Sequence, residues 1–508
     1  MEDIIRYINE EFIYKLADLR ENLYRDPKDL AGFIRDLRKE TDEIARRAVE
    51  DVVQEVDDLI KKLPARKRNY HVEHKADAKK LLTSVGEISF TKTLYKSKSE
   101  RDEDGKPISC YLLDKVLGFA PNQTMTEDVM ANILKEAAQT SYRKGGEAAS
   151  PDGVTKGAVK DLLHGLSFPE NYKKPKVRKE VEYLYIEADE DHYHLQFQNT
   201  KGELKRSENG RKLNGAVSKL IYVHEGIEPE APKSKRHRLI NPHYFCRGDG
   251  QDNGDLWKEV FDYISDMYDT ERIRRIYLSS DGGAWIKAGY RGLADVTFVL
   301  DEYHLSKYIC KLAEHMEDSA DDAKAEIYDC IRNKTKEEFY GIIERLKGCA
   351  DAESVLKRID EAAGYIGSNW TAAKYRLKKA KGVAGSSTEG HVYHVLSSRM
   401  STKPMGWSRR GGAQMARLLE YYWNEGDMLE LAKHQREELP MAAGAEEAVL
   451  SSNEMLKSER VNRTKMQTEY GKYSESLRGT LSLQRRKQLW FMLNGKILEG
   501  GQRLMVLP

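Results

Sequence analysis

Three carboxylates stand where ordered elements meet their loops. Asp189 closes the apolar run YLYIEAD, Asp281 closes RRIYLSSD, and Glu389 opens the amphipathic segment GSSTEGHVYHVL. Acids so placed are hard oxygen donors, able to hold two divalent metals roughly 3.5–4 Å apart for phosphodiester chemistry. Each also has an ordinary structural explanation. Asp189 suits a turn in ADEDH, and Asp281, followed by Gly282-Gly283, suits an Asx turn or a helix N-cap. Ser386-x-x-Glu389 has the form of a capping box. Asp191 competes with Asp189, because alternation puts both on one strand face if the strand continues. Val392 and Leu396 follow Glu389 by three and seven residues, which predicts that Glu389 shares the helix face packed on the sheet. A carboxylate there is costly unless paired or metal-bound. Asp301 and His304 form D-E-Y-H after the run DVTFVL; Asp301 is expected to cap the next helix, with His304 one turn inside.

Other chemistries lack their residues. His192-x-His194 and His391-x-x-His394 are present, but neither CxxC pairs nor H-E-x-x-H accompany them, so zinc has no support. The phosphate-binding loop G-x-x-x-x-G-K-[ST] and the nucleophile elbow G-x-S-x-G are both missing.

The elements that must position the acids follow from periodicity. Residues 1–63 read as helix broken at Asp26-Pro27, after which Leu30, Phe33, Ile34, Leu37, Ile44, Val52, Val56, Leu59 and Leu63 form one stripe, suited to packing on the same chain or to dimerisation. A basic region follows over 64–177. GEISFTKTLYKSKS reads as short strands there, and helices at 112–146 and 154–166 are joined in a helix-turn-helix-like way. NYKKPKVRKE reads as a basic linker. Strands are expected at 181–189, 192–198 and 217–225, with the polar turn NTKGELKRSENGRKLNG between the last two. A helix at 256–268, the strand RRIYLSSD, the short helix AWIKAGYR and the strand DVTFVLD come next. Three strands and then alternating helix and strand predict an α/β fold, a mixed sheet with helices on its faces, over 178–304. Residues 305–384 read as a charged helical insertion and 385–425 as the glutamate helix returning to the sheet. Residues 426–508 read as a polar helical tail with a basic cluster at Arg485, Arg486 and Lys487.

At 508 residues the chain exceeds one ordinary core. Its net charge is +1, but residues 1–60 carry −7 and residues 61–100 carry +7, an asymmetry that favours an anionic partner. Five widely spaced cysteines without a CxxC pair, an N-terminus unlike a signal peptide and the absence of a long apolar run together predict a cytoplasmic protein without a disulfide framework or membrane span.

Taken together, the motifs GEISFTKTLY, YLLDKVLG, SYRKGGEAA, LYIEADEDHYHLQ, YLSSDGGAWI, LDEYHLSKY and SSTEGHVYHVLSSRMSTKPMGWS resemble those of bacterial insertion-sequence transposases of the ISLre group, a DDE family formerly counted among uncharacterised proteins. The resemblance covers most of the chain. It implies an RNase H-like core, whose element order is the one read above, interrupted by a helical insertion. It implies that Asp189, Asp281 and Glu389, spaced by 92 and 108 residues, are a metal-binding catalytic triad. Asp301-x-x-His304 resembles the D/CxxH signature of related families, making His304 a further catalytic candidate. Two Mg²⁺ ions, with Mn²⁺ able to substitute, are the implied cofactors. Double-stranded DNA (transposon ends and target) is the implied partner, acted on by a homo-oligomer through strand cleavage and strand transfer. An RNase H-like nuclease or resolvase without strand transfer, and a transposase-derived DNA-binding regulator, are the alternatives.

Overall fold

A computed structural model describes residues 2–120, 122–196, 208, 214–289, 296–379, 381–403 and 405–437, with isolated positions up to 503. The turn region 197–213 (apart from residue 208) and the basic cluster Arg485, Arg486 and Lys487 lie outside the described residues.

The chain is mixed α/β. After helices Ile13–Arg25 and Leu30–Lys62, strands β1 (Tyr70–Thr83), β2 (Gly86–Arg101) and β3 (Pro107–Tyr111) form an antiparallel sheet. The helix break falls at the expected place, with Asp29 accepting the Gly32 N–H as an N-cap. Of the expected stripe only Val56 is buried, and Leu30, Ile34 and Val52 are exposed; Val53 and Ile60, which the stripe left out, join Val56 in packing on Tyr70, Leu81, Ile88, Phe90 and Tyr95. The basic stretch before GEISF had no element assigned from sequence. It is a short helix, Pro64–Asn69, followed by β1, because its alternating residues pair with β2 from Tyr70–Ser97 to Thr83–Gly86. Part of the charge of residues 61–100 is neutralised within the molecule, by Lys61–Asp57, Lys80–Glu87, Lys92–Asp114 and Lys96–Glu73 ion pairs.

The main sheet has five strands: β4 (Tyr183–His194), β5 (Gly215–His224), β8 (His243–Arg247), β9 (Arg275–Ser280) and β10 (Val296–Leu300). A two-stranded ribbon, β6 (Gly226–Pro229) with β7 (His237–Ile240), interrupts them. The order across the sheet is β10-β9-β4-β5-β8; β4, β9 and β10 run parallel, and β5 and β8 antiparallel to their neighbours. The strands expected at 181–189 and 192–198 are one continuous strand, and the third antiparallel strand is HYFCR, which the sequence reading passed over.

β4 separates its two faces by alternation. Leu184, Ile186 and Ala188 enter a core with Leu256, Trp257, Val260 and Ile264 of helix Asn253–Met267. Glu187, Asp189, Asp191 and Tyr193 occupy the other face. There Tyr193 joins a core built from Val392, Leu396, Met400, helix Arg409–Trp423, and helices Glu127–Gln139 and Lys156–Gly165. The helix-turn-helix-like segment is therefore packed into the same core as the glutamate segment, and the buried Arg399 donates to the Ala137 carbonyl at 2.7 Å. Helices between Glu302 and Lys378 enclose a separate core around Ile309, Ile327, Phe339, Ile343 and Ile366.

His243, on β8, is buried and stacked on Tyr263 at 4.2 Å. Burial depresses its pKa to about 3. The unfolded chain therefore binds the extra proton at higher pH than the folded one, so stability falls as pH drops from about 6.5 toward 3. His243→Phe keeps the ring stack and removes this contribution. Denaturant melts of wild type and variant at pH 7 and pH 4.5 are expected to differ in acid sensitivity by about 1–3 kcal/mol; equal losses in the two proteins would contradict the assignment.

Candidate active site

The sheet register brings the acids together. Ala188 pairs with Ser280, and Ser280 with Leu300, across three parallel strands. The next residue of each strand is Asp189, Asp281 and Asp301. Three carboxylates thus occupy equivalent positions at the point where parallel pairing ends, the carboxyl edge at which open sheets bind ligands. Asp189 does not end its strand, as the sequence reading expected. β4 continues to His194 along β5, and only its pairing with β9 stops.

Asp189 is 8% exposed and accepts its neighbour Glu190 N–H at 2.8 Å. Burial first, then the negative charges of Asp281 and Glu389, push its carboxyl up to about 7, while His304 and the Glu190 N–H act in the opposite direction. The charges of Asp281, Glu389 and His304 therefore reach one buried carboxylate. Asp281 is half-buried. Its Oδ1 accepts the Gly283 N–H at 2.8 Å, an Asx-type turn into helix Ala284–Gly289, so turn former and site candidate are the same residue. Gly282 has φ 86°, and a Cβ on it would lie 2.9 Å from Asn369 Oδ1, so glycine is required here. The insertion grips this turn: Tyr365 OH donates to the Asp281 carbonyl at 2.6 Å, and Asn369 Oδ1 accepts from Lys287 at 2.7 Å.

Asp301 caps helix Glu302–Ala313 as expected. Its Oδ2 faces the His304 N–H at 2.9 Å and the His304 Nδ1 at 3.1 Å, and its Oδ1 accepts from Ser386 Oγ. Burial opposes ionisation of Asp301, but the His304 and Ser386 hydrogen bonds hold its pKa down to about 2. The same Asp301 hydrogen bond raises the His304 pKa against desolvation, helped by the charges of Asp189 and Asp281.

Glu389 departs from expectation in two ways. It is exposed, and Thr388 and Val392 supply the buried face of its helix, Thr388–Val392. The helix is five residues long and passes into a π-helical turn, Tyr393–Ser397; Val392 and Leu396 are buried as expected, while Glu389 in the first turn is not. The capping box is not formed either. The N-cap residue is Ser387, with no side-chain cap, and Ser386 is turned instead toward Asp301 and Glu187. Glu389 lines a cleft of about 420 Å³ with Glu190, Asp191, Gly390, Val392, Tyr393 and Ser397. Asp191 accepts from Ser401 Oγ at 3.0 Å, burial raises its pKa, and its other oxygen is buried without a hydrogen bond. It shares the β4 face with Asp189 but lies beyond the end of the parallel pairing.

The sequence reading missed Glu187, 2% exposed, which faces His224 Nε2 at 3.3 Å. The signal was present: in YLYIEADEDHYH an acid two residues before Asp189 falls on the same strand face. Arg376 was missed as well; it is buried, donating to the Leu300 and Ala384 carbonyls and to Ser279 Oγ. Among the described residues, no group of three or more His, Cys, Asp or Glu is already gathered as a ligand cage. The donor chemistry nonetheless fits a hard divalent cation: oxygen ligands only, with the Asp189 carboxyl raised by burial first and then by the charges of Asp281 and Glu389, a cost that a cation would relieve.

The chain belongs to the uncharacterised protein family UPF0236, whose profile matches residues 29–437. A UPF0236 protein of Caldanaerobacter subterraneus subsp. tengcongensis, under a name shared by eleven loci of that organism, is 34% identical over 430 residues, 85% of each chain. Another from the same organism, named for four loci, is 33% identical over 85% of each chain. Among solved structures, the Drosophila P element transposase strand transfer complex is similar at a TM-score of 0.21 and 10% identity, over 65% of this chain and 85% of that one, too loose a likeness to bear on fold. Among the described residues, no helix is long and apolar enough to cross a membrane.

Because the folded-state pKa of Asp189 is raised, its folded form binds the proton more tightly than the unfolded form, and stability falls as pH rises from about 4 to about 7. Asp189→Asn removes that loss. Without divalent cations at pH 8 the variant is expected to be more stable by about 1–3 kcal/mol, read by thermal melting. A variant that melts below wild type would contradict the raised pKa of Asp189 and the buried, acid-flanked setting that produces it.

Proposed function

We propose that this UPF0236 protein is a DDE-type transposase, with an RNase H-like catalytic core, that cleaves and joins double-stranded DNA at the ends of its own mobile element. The observation that carries the reading is the alignment of Asp189 with Asp281 at the carboxyl edge of adjacent parallel strands, with the charge of Glu389 reaching Asp189. The strand order, an antiparallel β4-β5-β8 set flanked by parallel β9 and β10, agrees with this core. A family name shared by eleven loci in one genome fits a gene that copies or moves itself.

Asp189, Asp281 and Glu389 would hold two Mg²⁺ ions, or Mn²⁺ in their place. When bound, such ions activate a water or a DNA 3′-hydroxyl and stabilise the departing 3′-oxygen. The chain's own residues prepare the site. The Gly283 N–H and Tyr365 fix the Asp281 turn from two sides. Asp301 engages Nδ1 of His304 and favours the imidazolium, leaving Nε2 to donate to a phosphate oxygen. His304 is therefore the candidate for steadying negative charge on the phosphate, and Asp301 is its orienting partner. The basic residues of 61–180 are the candidates for phosphate contact, so DNA affinity should fall steeply with salt.

The test uses the full chain and a labelled duplex of the DNA flanking its reading frame. Wild type with Mg²⁺ is expected to yield nicked ends and joined strand-transfer products. Asp281→Asn and Glu389→Gln are expected to bind the duplex normally and to lose at least about a thousandfold in cleavage, since amides keep the shape but not the charge that a hard cation needs. Near wild-type cleavage by either variant removes that residue from the triad. Cleavage without joined products would favour the nuclease or resolvase reading, and binding without cleavage by wild type would favour the regulator.

A further inference from the structure

Glu187 is an anomaly for a structural residue. It sits in the middle of the central strand, 2% exposed, on the same face as Asp189 and Asp191. A buried carboxylate persists only when its oxygens are matched by donors. The donors here come from one place besides His224: Ser387 N–H reaches Glu187 Oε2 at 3.1 Å, and Thr388 Oγ1 donates to the same oxygen. Ser386 Oγ faces both Glu187 Oε2, at 3.3 Å, and Asp301 Oδ1. A serine hydroxyl has one proton to give. The closer contact is with Asp301, which leaves Glu187 to Ser387 and Thr388. Ser386, Ser387 and Thr388 are the three residues immediately before Glu389.

The other oxygen of Glu187 faces His224 Nε2 at 3.3 Å, while His224 Nδ1 faces the Gly226 carbonyl at 3.0 Å. Nδ1 is hydrogen-bonded at the Gly226 carbonyl, and Nε2 stands against the carboxylate as a close polar contact. The 1% exposed His224 backs Glu187 from β5, and Glu187 in turn grips the turn before the exposed glutamate. The regular cap of that helix is missing, so this grip stands where the cap would be.

We propose that Glu187 is a positioning residue: it latches the Ser386–Thr388 turn to the central strand and thereby fixes where Glu389 stands relative to Asp189. Its consequence for metal binding rests on the reading of Glu389 as a cation ligand.

The test compares the full chain with Glu187→Gln and with Thr388→Val. The second variant removes one donor to the latch and keeps the Glu187–His224 pair, so it remains informative if the first folds poorly. Two quantities are read: hydrogen exchange of peptides across the chain without divalent cations, and affinity for Mn²⁺ alone. Glu187→Gln is expected to speed exchange of the peptide covering 386–396 by about tenfold or more, while peptides of the β1–β2 sheet and of the helical insertion are unchanged. Mn²⁺ affinity is expected to fall by about tenfold, with Thr388→Val shifting both in the same direction by less. Unchanged exchange at 386–396 in both variants overturns the latch. Faster exchange with unaltered Mn²⁺ affinity overturns its role in placing Glu389. Failure of the metal reading itself has a different signature: a Glu389→Gln chain that binds Mn²⁺ as wild type does.

Discussion

The parallel register of β4, β9 and β10 is the constraint on which the site depends. Because Ala188, Ser280 and Leu300 are paired neighbours, Asp189, Asp281 and Asp301 follow as a row. A slip of one residue in β4 would turn Asp189 into the Leu256–Trp257 core and Ala188 into the site. The apolar residues Leu184, Ile186 and Ala188 therefore do more than fill a core. Their burial fixes which face carries the acids, and several buried aliphatic side chains, each contributing roughly 1.5–3 kcal/mol, outweigh the cost of holding carboxylates opposite them.

The second layer of the arrangement is a set of clamps from distant parts of the chain. Tyr365 and Asn369 reach the Asp281 turn from the helices of 353–378. Arg376 ties the same helices to Ser279, two residues before Asp281, and to Leu300, the residue before Asp301. Ser386 links the glutamate segment to Asp301. The helical segment after β10 is thus fastened to the loops that carry the acids, and disturbance in its core would be felt at Asp281 before it reached the far edge of the sheet.

The outline of this arrangement was legible in the sequence because it rests on local pattern. Alternation in YLYIEADEDHYH, the apolar runs before Asp281 and Asp301, the Asp26-Pro27 break and the Asp301 cap all depend on neighbours within a few residues. What was not legible depends on partners far away. The charged stretch before GEISF becomes a strand because β2 pairs with it, and HYFCR joins the sheet because β5 does. Glu389 was placed on a buried face by its spacing to Val392 and Leu396; both are buried, but Glu389 stands in the first turn of a five-residue helix, whose buried face there is taken by Thr388, and is exposed. Ser386 looked like a cap because its spacing fits one; Glu187, 199 residues away, and Asp301, 85 residues away, hold it instead.

The central claim is that Asp189, Asp281 and Glu389 act as one cation site whose repulsion is relieved when the cation arrives. Near pH 6.5 Asp189 is largely protonated, with its pKa at about 7, and a cation must displace that proton. The most direct measurement is the number of protons released when Mg²⁺ is titrated into the full chain at pH 6.5 and at pH 9. The account predicts release approaching about one proton per chain at pH 6.5, little at pH 9, and none in Asp189→Asn at either pH. Mg²⁺ binding with no proton release at pH 6.5, or the same release from Asp189→Asn, would contradict it.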